Sequence, residues 1–261
     1  MNNIPYDQVV VTGCSHSCGM EMNDHLLPKF IDENERIIAI WKWAKKHLKL
    51  ASKNITEIKE ISNKHWLELE RKNSWPSLLQ KEFNIPVKNL SLIGASIGRS
   101  LVAYSEYLKN IDKGKRILAI HELPDMSRMY IRFDEQHGRI LTRLSHAEGD
   151  SSFGFAKDHY KEKLDRVNRI YRKRIMSEGY LEKYYAKVLN RLQALSVGKN
   201  IQDYYIFPEE NAVPTNDSLN GKILIKDFIN FRSNYSEGKL GHIIDPAYNE
   251  DICKIITSTC L

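Results

Sequence analysis

Short β-branched runs alternate along this chain with longer stretches whose apolar residues recur at helical spacing. The first run, Val9-Val10-Val11, is continuous and closes on Thr12 and Gly13, the pattern of a strand buried on both faces. Residues 37–50 carry Ile37, Ile40, Trp41, Ala44 and Leu48 on one helical stripe, and residues 56–70 carry Ile58, Ile61, Trp66 and Leu69 on another. Ser74-Trp75-Pro76 predicts a helix start, because proline is favoured in a first turn and serine can cap it. That helix runs to Phe83, and Asn84-Ile85-Pro86 ends it. Strands are predicted at 87–93, 116–120 and 203–207, with a helix at 101–108. Residues 130–133 predict an extended piece that turns at Gln136-His137-Gly138, and the glycine- and serine-rich stretch 145–155 predicts a mobile loop. Charged helices are predicted at 157–177 and 180–195. A loop follows at 209–220, then a strand or helix start at 223–227 and the start of a terminal helix at 251–256.

Strands alternating with helices predict an α/β fold, a three-layer domain with a central parallel sheet flanked by helices in the flavodoxin-like manner. A length of 261 residues suits one such domain. With no internal repeat, low-complexity tract or clear linker, the expected organisation is a single domain over 1–261. A helical insertion at about 157–195 would form a lid or shape specificity.

Composition and charge narrow the classes. The formal net charge is +6, but the basic stretches at 42–53 and 157–187 also carry acids at helical spacing. This pattern fits solvated helix faces better than a nucleic-acid groove, and no nucleic-acid-binding motif accompanies it. No apolar stretch approaches the length of a membrane span, and Met1-Asn2-Asn3-Ile4-Pro5 has neither the basic head nor the apolar core of an export signal. The expected setting is therefore cytoplasmic, with Cys14, Cys18, Cys253 and Cys260 as reduced thiols. Cys14, His16, Cys18 and His25 lack the ligand spacing of common zinc sites, so neither a metal nor a cofactor is expected. Cys14 reads as a small core residue at the strand end.

The candidate chemistry lies where the first strand ends. Gly13-Cys14-Ser15, followed by Gly19, reads as a tight turn from strand into helix. In an open α/β sheet ligands bind at the carboxyl ends of strands. A serine there has its backbone N–H near a helix N-terminus, which suits developing negative charge. Ser15 is accordingly the candidate nucleophile.

Three blocks of the chain carry a family resemblance. VVVTGCSHSCG at 9–19 resembles the first block of the SGNH, or GDSL-like, hydrolases. SWPSLLQKEFNIPVKNLSLIGAS at 74–96 resembles their next segment, where a Trp-Pro helix and a strand lead to an oxyanion-hole glycine. Gly241-His242, just before DICKII at 251–256, resembles the final block that carries the general base. The resemblance implies an esterase acting on small acyl esters, with acetyl groups on sugars among them. It assigns Ser15 as nucleophile, His242 as base, and the Ser15 and Gly94 N–H groups as oxyanion donors. The chemistry is self-consistent, since a serine hydroxyl needs a positioned base and imidazole suits that task.

Two departures accompany the resemblance. The family's third block supplies an asparagine to the oxyanion hole, and here residues 120–128 read IHELPDMSR, with His121, Ser127 and Arg128 as candidate replacements. The acid that orients the histidine lies three residues before it, and that position is Lys239; Glu237 and Asp245 are the nearest carboxylates. These gaps leave room for a non-catalytic carbohydrate- or protein-binding module on a hydrolase-like fold. Val11-Thr12-Gly13 also begins short-chain dehydrogenases, and Tyr235 and Lys239 have the tyrosine-lysine spacing of that class. Ser17, however, stands where the nucleotide-binding loop needs its middle glycine.

Overall fold

Val9, Val10 and Val11 have no exposed surface, because β1 (Gln8–Thr12) runs through the middle of a sheet covered on both faces. Burying each such side chain contributes about 2 kcal/mol. The computed structural model describes residues 5–20, 23–27, 33–50, 53–92, 95–112, 114–125, 129–132, 141–144, 169, 180–214, 219–237 and 243–260. Its sheet has five parallel strands in the order β2 (Val87–Asn89), β1, β3 (Ile117–Glu122), β6 (Ile201–Ile206), β7 (Lys222–Ile225). The expected α/β architecture with helices on both faces is what the chain adopts. A separate antiparallel pair, β4 (Met129–Arg132) with β5 (Leu141–Leu144), accounts for the extended piece expected at 130–133. Its expected turn at 136–138 and the loop at 145–155 lie outside the described residues.

Alternate residues of each strand serve two cores. Val9, Val11, Leu118, Ile120, Tyr204 and Ile206 face one way, against α4 (Trp75–Phe83) and the last helix, α8 (Pro246–Cys260). Val10, Ile117, Ala119 and Tyr205 face the other, against α5 (Ile97–Lys109) and α6 (Tyr180–Ala194). Between β1 and α4 lie the short α1 (Ser15–Cys18) and two long helices, α2 (Glu33–His47) and α3 (Ile55–Lys72), that pack on each other. Local signals place the helix ends. Asn54 and Glu57 form a capping box for α3, Pro76 occupies the first turn of α4, and Ser96 accepts the Arg99 N–H at the start of α5.

The stretch 157–195 divides. Residues 157–179, apart from Arg169, lie outside the described residues. Residues 180–194 form α6, which covers one face of the sheet and buries Tyr185, Val188, Leu189 and Leu192 at helical spacing. That part belongs to the layer and is not a lid, because its apolar stripe is committed to the core. Among the described residues no helix is long and apolar enough to cross a membrane. Since Leu189 is fully buried, Leu189→Ala is expected to lower stability by about 3 kcal/mol in urea unfolding. A loss under about 1 kcal/mol, the size of a surface effect, would contradict a core position for α6.

Candidate active site

The order β2-β1-β3-β6-β7 puts the topological switch between β1 and β3, and the crevice beyond the carboxyl ends of those two strands is where such sheets bind ligands. Thr12 pairs with His121 in that ladder, so the next stations are the turn after β1 and Glu122 at the end of β3. Gly13 leads into the turn, and Ser15 heads α1. A Cβ at Gly13 would press into Ser17 Oγ and lie 3.0 Å from Glu122 Cβ, so only glycine lets the turn close on β3. Gly19 ends α1 with φ +75°, and a Cβ there would stand 2.5 Å from the Glu70 carbonyl oxygen.

The turn is tied from two sides. Glu122, 1 % exposed, accepts Cys14 Sγ–H at Oε1 (2.9 Å) and the Ser17 hydroxyl at Oε2. From β2, Asn89 Nδ2 donates to the Ser17 carbonyl at 2.8 Å, and the Leu92 N–H reaches the Gly13 carbonyl at 3.2 Å. Cys14 is thus the small buried residue expected at the strand end, and its thiol is bonded to a carboxylate.

The C-terminal part of the chain packs against this turn. Arg232, which ends α7 (Phe228–Arg232), donates through Nη1 to His16 Nε2 at 2.9 Å and pairs with Glu237 at 3.7 Å. Arginine can only donate, so His16 Nε2 is an acceptor. Glu237 forms an antiparallel bridge with Ile243, and Ile243 is buried in the core. Tyr248 from α8 is fully buried; burial pushes its phenol far up, and the nearby Glu122 and Cys14 push it further. Asp245 accepts the Ala247 N–H at 3.0 Å and so opens α8. On the same carboxyl edge, past β6 and β7, a groove of about 690 Å³ is lined by Glu209, Glu210, Asp227, Ile229, Asn230 and Ser233.

A second polar cluster occupies the opposite face. Asp203 Oδ1 accepts from His121 Nε2 (3.1 Å) and from Ser196 Oγ (2.9 Å), while His121 Nδ1 meets Thr12 Oγ1 at 2.8 Å. Tyr104 adds its hydroxyl to Ser196 at 3.1 Å. Hydroxyl, imidazole and carboxylate stand in the order of a nucleophilic triad, yet Thr12, His121 and Asp203 are 1 %, 0 % and 3 % exposed. No substrate reaches a hydroxyl sealed in this way, so the cluster ties β1, β3 and β6 together.

Of the residues expected at the site, Ser15 sits at the switch point, Glu237 bridges to Ile243 and Asp245 caps α8, whereas Gly94, Ser127, Arg128, Lys239 and His242 lie outside the described residues. Glu237 is exposed and engaged by Arg232, and Asp245 is half-buried. Glu122, Asn89 and Arg232 are residues that sequence reasoning did not single out. Glu122 had a readable signal, a carboxylate closing an otherwise apolar strand at its ligand-facing end. Burial and the bond from Tyr235 to Asp251 (2.9 Å) push the Tyr235 phenol up to about 12. Among the described residues no group of three His, Cys, Asp or Glu side chains is arranged to hold a metal.

Comparison of the chain with protein-family models and with curated proteins finds no match. The fold and the local geometry therefore carry the functional reading. His121→Ala should leave the buried Asp203 carboxylate without its ring donor and cost about 3 kcal/mol, read by urea unfolding. A change under about 1 kcal/mol would contradict the structural role assigned to this cluster.

Proposed function

We propose that this chain is an ester hydrolase of the SGNH type, a single domain that cleaves small acyl esters through an acyl-enzyme on Ser15. The observation that carries the reading is the link through Arg232. His16, the neighbour of Ser15, bonds to Arg232, and Arg232 pairs with Glu237, whose bridge partner Ile243 is the neighbour of His242. Residues flanking the two proposed catalytic side chains are thus joined across more than two hundred positions of sequence.

In this mechanism His242 takes the Ser15 proton as the hydroxyl attacks the ester carbonyl. The N–H groups of Ser15 and Gly94 stabilise the oxyanion, each such donor contributing about 3 kcal/mol. His242 then protonates the leaving alcohol and activates the water that clears the acyl group. Glu237 or Asp245 supplies the carboxylate that orients the imidazole. The groove beside α7, with three carboxylates and two asparagines in its lining, offers acceptors of the kind sugar hydroxyls use. This supports O-acetylated carbohydrate as a substrate class.

Ser15→Ala is expected to abolish turnover of p-nitrophenyl acetate while leaving the melting temperature unchanged, and a fluorophosphonate probe should label the wild type on the peptide containing Ser15. His242→Ala should lower kcat/KM by about 10³-fold or more. Unchanged turnover in Ser15→Ala would refute the nucleophile. An intact fold that the probe does not label would instead favour a non-catalytic binding module.

A further inference from the structure

Glu122 takes no part in the hydrolysis just described, yet among the described residues its carboxylate is one of the most deeply buried. Removing a carboxylate from water costs several kcal/mol unless its oxygens are bonded, and an apolar side chain would fill the same space without that cost. Its two oxygens go to residues on either side of Ser15: Cys14 immediately before it and Ser17 two places after it. Both partners lie more than a hundred positions away in sequence, so the contact is a product of the β1–β3 pairing.

We propose that Glu122 is a positioning residue for the nucleophile: its carboxylate fixes the turn that presents Ser15, an inference that rests on the serine-hydrolase reading above. An ionised carboxylate only accepts, so both donors must point inward, and the turn cannot rotate about Gly13 without breaking one bond or the other. Asn89 restrains the same turn from β2 through the Ser17 carbonyl. Gly13 brings β3 close enough for the grip, since a Cβ there would lie 3.0 Å from Glu122 Cβ. A turn held from both β3 and β2 needs no reorganisation before attack, and misplacement by about 1 Å costs about 100-fold in rate.

The test compares Glu122→Ala and Glu122→Gln with the wild type by kcat and KM on p-nitrophenyl acetate, by the second-order rate of fluorophosphonate labelling, and by thermal unfolding. Glu122→Ala is expected to lose about 100-fold in kcat and in labelling rate, with KM within about threefold. Glutamine keeps a carbonyl for one donor and can donate its amide to the Ser17 oxygen, so Glu122→Gln should recover activity to within about tenfold of wild type. Should Glu122→Ala fail to fold, the double variant Cys14→Ala/Ser17→Ala removes the same two bonds from the turn and should show the same loss. A folded Glu122→Ala or double variant labelled within about twofold of the wild-type rate overturns the positioning role while leaving the hydrolase reading intact. Absence of labelling at Ser15 in the wild type overturns both.

Discussion

The parallel pairing of β1 with β3 sets where every other group at the sheet edge can stand. With Thr12 opposite His121, the chain leaves β1 beside the end of β3. The Gly13 turn can close there only because it carries no side chain. Strand order then does the rest: β2 lies on the far side of β1 and β6 on the far side of β3, so the crevice opens between the first and third strands. Shifting that ladder by one residue would exchange the faces of Glu122 and His121, and both polar clusters would lose their partners.

The two faces of the same strand end have different work. His121 points into the core under α5 and α6, where Thr12, Asp203, Ser196 and Tyr104 satisfy it and seal it from solvent. Glu122 points toward α8 and holds the Ser15 turn. Arg232 adds the third connection, bonding His16 of α1 and pairing with Glu237. Buried charge of this kind contributes little net stability compared with apolar packing. Its value here is geometric, fixing which loops meet at the crevice.

Much of this was legible in the chain. The buried strands announced themselves as short apolar runs, and Ile58 and Trp66 of the second helix stripe are buried as their spacing implied. Boundaries were less readable where caps outrank periodicity. Helix α5 starts at Ile97, earlier than its apolar stripe suggests, because Ser96 caps it, and α8 starts at Pro246, where proline can begin a first turn and Asp245 caps the Ala247 N–H. The insertion reading of 180–195 followed the charged residues of that stretch, whereas its apolar stripe decides the packing. Asn89 and Arg232 stayed hidden because their partners are distant in sequence, and a local pattern carries no record of a contact that only the tertiary fold creates.

In the proposed enzyme the serine near the start of the chain and the histidine near its end share the crevice between β1 and β3. The most direct measurement is a crystal structure of the protein after reaction with a fluorophosphonate. The expected result is phosphorus bonded to Ser15 Oγ, a His242 ring nitrogen within about 3 Å of that oxygen, and a phosphonyl oxygen facing the Ser15 and Gly94 N–H groups. An unmodified Ser15, or a His242 ring turned away on another face of the molecule, would contradict it.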